Sequence, residues 1–240
     1  MARSEYPCQL DVLPRALRAA LSLFALSITL WATLAGTSLA QNTPAAHLRE
    51  PIIGGPCEGC EGVFEGLPTV LSSATRLAPS GERGQPMIID GIVRDTRGNA
   101  VRGIVVYAYH TDANGIYRPG TAAPGESARR HGVLRGWAVT DSVGHYRFIT
   151  IRPGHYPNGK APEHVHMHVI EPRCCTYWID SINFTDDSIL SAAERQMSER
   201  GRGGSGLTTP TRDQNGTWHV TRDIRLGYGV PGYADARQHH

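Results

Sequence analysis

The stretch that most restricts the fold is Pro162-Glu163-His164-Val165-His166-Met167-His168, in which polar and apolar side chains alternate from His164 onward. A period of two predicts a half-buried strand and does not fit a helix face. Side chains two apart on a strand project from the same face. His164 and His166 therefore point together and can share one metal ion. Tyr156 precedes His164 by eight positions, on a bend carrying Pro157 and Gly159. A buried phenol beside paired imidazoles is a candidate anionic oxygen ligand. Glu163 points from the opposite face and is not cast as a ligand. His168 shares the face of His164 and His166, and is expected to surround the site instead of ligating.

Short β-branched runs separated by turns flank this element. Residues 87–95 and 101–110 are strand-like and are split by Asp95-Thr96-Arg97-Gly98-Asn99. Asp112-Ala113-Asn114-Gly115 is another turn. Residues 133–140 and 145–151 read as strands around Asp141-Ser142-Val143-Gly144. With 27 Gly and 16 Pro in 240 residues, this spacing predicts an all-β, immunoglobulin-like or transthyretin-like β-sandwich. The loop at 118–132 lacks periodicity, and such a loop inside a compact domain is usually functional. One short C-terminal helix is expected, capped by Asp186 or Asp187, with Ile189, Leu190, Ala193 and Met197 on its apolar face and Gly201 at its end. Residues 201–206 read as a flexible linker and 217–226 as a closing strand. Tyr146, Phe148 and Trp137 read as core.

Residues 1–40 read as a secretory signal. Arg15 and Arg18 precede an uncharged apolar run, followed by small residues to Ala40. Cleavage near Ala40 and export to the periplasm or medium are expected, an uncleaved membrane anchor being the alternative. Residues 41–86 form an extended N-terminal arm, and 87–240 the sandwich. Export directs attention to Cys57, Cys60, Cys174 and Cys175, which suggest two disulfides. Adjacent Cys174 and Cys175 are poorly placed to bond each other, so each is expected to reach back to Cys57 or Cys60. A zinc site of all four thiolates would want a second CxxC, which is lacking. A formal net charge of +2 with scattered basic residues argues against nucleic acid or an anionic membrane as partner.

The segments Asp90-Gly91-Ile92-Val93-Arg94-Asp95, Asp112-Ala113-Asn114-Gly115-Ile116-Tyr117 and Arg135-Gly136-Trp137-Ala138-Val139-Thr140-Asp141, continuing through 144–157 to Pro162-Glu163-His164-Val165-His166, resemble the intradiol ring-cleavage dioxygenases. The match is strong over roughly residues 87–170. The resemblance implies a sandwich holding one non-haem Fe(III), with Tyr117, Tyr156, His164 and His166 as ligands. It implies an aromatic diol and O2 as substrates, and Tyr156 as both ligand and general base. Two phenolates suit a hard ferric ion, whereas a ferrous oxygenase more often uses two His and one carboxylate. The sequence departs from the family at Ala161, where an arginine usually stands three residues before the first ligand histidine. Arg135 is therefore the candidate catalytic cation, with Lys160 and Arg152 also near in sequence. The competing reading is a non-catalytic transthyretin-like binding or scaffold module that keeps the sandwich without the reaction.

Overall fold

The computed structural model describes residues 49–57, 59–120 and 125–238. The expected signal sequence lies outside them. Two sheets face each other. The first runs, in spatial order, β1 (Ala74–Arg76), β5 (His145–Ile151), β2 (Pro86–Arg94), β10 (Trp218–Thr221) and β9 (Thr211–Arg212), with β11 (Ile224–Arg225) beside β2. The second runs β4 (Arg135–Val139), β3 (Val105–Tyr109), β6 (His164–Glu171), β7 (Cys175–Phe184) and β8 (Leu207–Thr208). The fold is thus the all-β sandwich expected, with helix confined to short pieces.

Alternation in the sequence becomes alternation of burial. On β2 and β5, Met87, Ile89, Val93, Tyr146 and Phe148 turn inward, against Val106, Ala108, Val165 and Met167 of the second sheet. Each such side chain, fully buried, contributes roughly 1.5–3 kcal/mol. On β3, however, Val105, Val106, Tyr107 and Ala108 are all buried. Its outer face is covered as well, by Val63 and Leu71 of the arm packing on Val105, Tyr107, Trp137, Val139 and Ile170. The Trp137 indole donates to the Val63 carbonyl at 2.7 Å. The arm also supplies β1, which pairs with β5 in parallel.

Three expectations need correction. The helix α2 (Ala192–Glu199) starts later than the acidic pair suggests: Ser191 caps it, in a capping box with Glu194. Ile189 and Met197 are exposed instead of sharing a buried face, because Asp187 is drawn into other contacts and the chain turns into α2 only after Leu190. Two further short helices occur, α1 (Glu126–Arg130) and α3 (Tyr233–Gln238). Residues 201–206 are not a slack linker. Gly203 N–H donates to the Tyr228 carbonyl at 2.8 Å and Gly206 N–H to the Ser198 carbonyl at 2.7 Å. Buried Arg222 anchors the same segment by donating to the carbonyls of Gly203, Arg202 and Asp180.

The cysteine pairing also differs. Cys57 bonds Cys60, with their Cα atoms 5.7 Å apart, and Cys174 and Cys175 are free and buried. Gly59, at φ 79°, turns the CxxC back on itself within disulfide reach. Cys174 and Cys175 belong to the core between the sheets, whereas Cys60 contacts His168 on the outer face of the second sheet. The sheet itself separates the two pairs.

Candidate metal centre

Cross-strand register builds one aromatic face. Tyr107 pairs with His168 and Tyr109 with His166, so these residues and His164 share the outer face of the second sheet. A register shift between β6 and β7 lies at Val165/Met167. It brings the Ser181 hydroxyl to 3.3 Å from His166 Nδ1. Such irregularities commonly re-aim a side chain beside a site.

Two loops bring the phenols to this face. The Asp112 carboxylate accepts from the Asn114 and Ile116 N–H groups, an Asx turn that delivers Tyr117. Gly115 permits the second loop to approach, since a Cβ there would fall 1.7 Å from the His155 carbonyl oxygen. The Tyr156 loop is pinned on its other side. Arg152 donates to Glu163 at 2.6 Å and to Asp186 at 2.8 Å. Asp187 accepts from the Glu163 N–H at 2.7 Å and lies 2.9 Å from His155 Nε2.

Four donor atoms converge as a result. Tyr117 Oη is 3.1 Å from Tyr156 Oη, Tyr156 Oη is 3.3 Å from His164 Nε2, and His164 Nε2 is 3.0 Å from His166 Nε2. Donors held about 2 Å from one centre lie roughly 3 Å from one another, which is this spacing. The imidazoles are oriented for it. His164 Nδ1 lies 2.7 Å from the Pro162 carbonyl, which can only accept. The proton therefore sits on Nδ1, and the Nε2 lone pair faces the cluster. Burial lowers the pKa of both histidines, that of His166 well below the ordinary range, so both offer neutral rings. Burial raises the Tyr117 pKa, as does its hydrogen bond to Tyr156. An adjacent multivalent cation reverses that preference and draws out the phenolate. The donor set fits a hard, highly charged ion such as Fe(III). The Cys57 and Cys60 sulfurs near His168 do not serve such an ion, being soft and bonded to each other.

A cavity of about 220 Å³ opens onto the cluster, lined by Gly59, Tyr109, Tyr117, Arg130, His131, Tyr156 and His166. Tyr109 stacks on His166 with centroids 4.6 Å apart and on His131 at 3.8 Å. Neither Tyr109 nor His131 was singled out by sequence reasoning. The strand alternation could have flagged Tyr109, but nothing local points to His131. Arg135 lies elsewhere. The order β4-β3-β6 puts Tyr109 between it and His166, two strand spacings or about 10 Å away. Its guanidinium donates to the Gly62 and Glu65 carbonyls at 3.0 and 2.7 Å and to Tyr107 Oη at 3.2 Å. The fold uses Arg135 to fasten the arm, not to face the phenols. Arg152 is likewise engaged by Glu163 and Asp186, and Lys160 is exposed. Among the described lining residues Arg130 alone is cationic.

A family profile described as "Dioxygenase" matches residues 68–201, more than half of the chain. The protocatechuate 3,4-dioxygenase beta chain of Burkholderia cepacia is 29% identical over 118 residues, covering 47% of this chain and 49% of the relative. The chain thus spans about half the length of that relative. Similar solved structures include an intradiol ring-cleavage dioxygenase from Tetranychus urticae (20% identity, 73% of this chain and 93% of that one, TM-score 0.48). Catechol 1,2-dioxygenase from Acinetobacter radioresistens is another (20% identity, 75% and 64%, TM-score 0.48).

Proposed function

Because the chain belongs to the intradiol ring-cleavage dioxygenase family, we propose that it cleaves catechol-type aromatic rings between the two hydroxyl-bearing carbons, using O2 and a non-haem Fe(III). The observation that carries this reading is the convergence of Tyr117, Tyr156, His164 and His166 within hydrogen-bonding distance of one another. A ferric ion bound there would supply Lewis acidity and a template that orients the diol. Tyr117, His164 and His166 would hold it, with the His164 tautomer set by the Pro162 carbonyl and His166 braced by Ser181.

Tyr156 has the second task. A diol must shed its hydroxyl protons to bind as an anion, and a phenolate within hydrogen-bond reach is a competent base. Both phenols ride on loops, but the Tyr156 Oη alone meets both the other phenol and an imidazole, Tyr117 and His164, so it is the one cast here to take up and keep the proton. The cavity above it is smaller than a typical drug-sized pocket, which favours a single aromatic ring. Tyr109 and His131 wall that space.

The test is oxygen uptake against a panel of catechols, with wild type beside Tyr156→Phe, on protein whose iron content and visible colour are recorded. Phenolate-to-ferric charge transfer colours such a centre, and a colourless, iron-replete protein overturns the ligand assignment. One observation favours a second reading, a binding module that keeps the metal without turnover. It is Ala161 where an arginine is usual, together with the turning away of Arg135. Colour and catechol binding without oxygen consumption would select it. We further propose export, supported by the order of basic, apolar and small residues before Ala40. A mature chain beginning at Gln41 in the periplasm or medium is the expected finding.

A further inference from the structure

One step along β6 from the candidate ferric ligands, a second donor set gathers on the same face. Cys60 Sγ lies 3.3 Å and Cys57 Sγ 3.9 Å from His168 Nε2, and the three ligand atoms fall within 4.8 Å of one another. His168 is 4% exposed. Unlike those of His164 and His166, its Nδ1 has no hydrogen-bond partner among the described residues. A disulfide sulfur is a weak hydrogen-bond partner, so the fold buries an imidazole whose Nε2 is held only weakly and whose Nδ1 is not held at all, an arrangement that costs free energy. Ligand atoms about 2.3 Å (sulfur) and 2.0 Å (nitrogen) from a tetrahedral centre lie roughly 3.5 Å apart, a value the two observed sulfur–nitrogen distances bracket. A second cavity, of about 390 Å³ and sharing Tyr109 and His166 with the first, reaches this point, lined among others by Cys57, His168, Trp178 and Asp180. It leaves a route by which a cation could reach the three donors.

We propose that Cys57, Cys60 and His168 form a second metal site, closed while the Cys57–Cys60 disulfide is intact and opened by its reduction to take a soft or borderline divalent cation such as Zn2+. The chemistry balances with a phosphine as reductant. Phosphine and water convert the disulfide to two thiols and a phosphine oxide, and the cation then displaces the two thiol protons. A thiolate pair with one imidazole suits zinc and leaves one coordination position for water. The site is distinct from the phenol–imidazole cluster in donor hardness and in its dependence on redox state. It stands whether or not the ring-cleavage proposal does.

The test compares oxidised and phosphine-reduced full-length protein, each titrated with Co2+ as a spectroscopic stand-in for Zn2+. Reduction is expected to add one equivalent of bound Co2+, with a sulfur-to-cobalt charge-transfer band in the near ultraviolet and the strong ligand-field absorption of a tetrahedral ion. Zn2+ should bleach both. Cys57→Ser and His168→Ala should lose the new equivalent. Cys174→Ser should keep it, which separates this site from the free thiols in the core. The wild-type comparison needs no variant to fold. Equal Co2+ binding before and after reduction, extra Co2+ without the sulfur band, or loss of the band in Cys174→Ser but not in Cys57→Ser would each overturn the proposal.

Discussion

His166 and His168 are separated by one residue on the same face of the same strand, yet their surroundings are opposite in kind. His166 has its Nδ1 braced by Ser181 and its Nε2 aimed at another imidazole and, through it, at two phenols. His168 has an unpartnered Nδ1 and two sulfurs at its Nε2. The strand supplies identical side chains in identical orientation. What differs is the segment laid against each: the loops carrying Tyr117 and Tyr156 in one case, the CxxC of the arm in the other. Hard oxygen donors and soft sulfur donors select different ions. The chemistry along β6 is therefore written by its neighbours.

The contrast can be broken outright at its first member. His166→Ala should abolish stable iron binding and colour while leaving the Cys57–Cys60 disulfide intact, as checked by metal analysis and thiol titration. Tyr156→Phe is expected to keep the iron, shift the visible band and lower kcat by about 10²–10⁴, the usual contribution of a general base. Stopped-flow oxygen consumption reads that loss.

A pH series sharpens the comparison by reading the buried imidazoles together, those of the two donor sets and those outside them, since burial lowers the pKa of them all. Burial, the dominant cause, lowers the His110 and His131 pKa values to about 4 each from the ordinary 6.5. As pH falls through 6.5, the unfolded chain takes up protons that the folded chain refuses. Stability should therefore decline as pH falls from about 6.5 to 4, by roughly 3 kcal/mol at most from a fully buried group such as His110. Urea unfolding at several pH values measures it, and a flat profile across that window would refute it.

Arg135→Met, which detaches the arm from the face both sites share, should cost about 2 kcal/mol of stability through lost charged hydrogen bonds. It should leave the colour of the iron-loaded protein unchanged. A bleached centre in that variant would return Arg135 to the active site. The smallest effect is expected from Ser181→Ala. Loss of an outer partner to a ligating histidine weakens metal binding about tenfold, and here iron affinity alone should fall, with reduced-state Co2+ binding at His168 untouched.

Local pattern already carried much of the fold. The alternation at 87–95 and 145–151 became β2 and β5 with inward Ile89 and Phe148, because a two-residue period can bury only one face. The same-face placement of His164 and His166 followed from that rule alone. Tyr156 was legible as a candidate from its place eight residues before His164, whereas Tyr117 was legible only through resemblance, since a tyrosine in a loop carries no periodic signal. Arg135 misled because nearness to a motif in sequence ignores that β3 lies between β4 and β6. The cysteine pairing misled for a related reason: the sheet that parts the two pairs is invisible in a list of spacings.

By itself, then, the chain's order of residues determined the strands, their inward faces and the shared direction of two imidazoles, all of which depend on backbone geometry over a few residues. Tertiary structure alone decided which distant groups meet those imidazoles. Cys57 and Cys60 stand 111 and 108 positions from His168, and Tyr109 reaches His166 only through cross-strand register. Such encounters are set by how whole sheets and the arm pack against one another, and no local period encodes that.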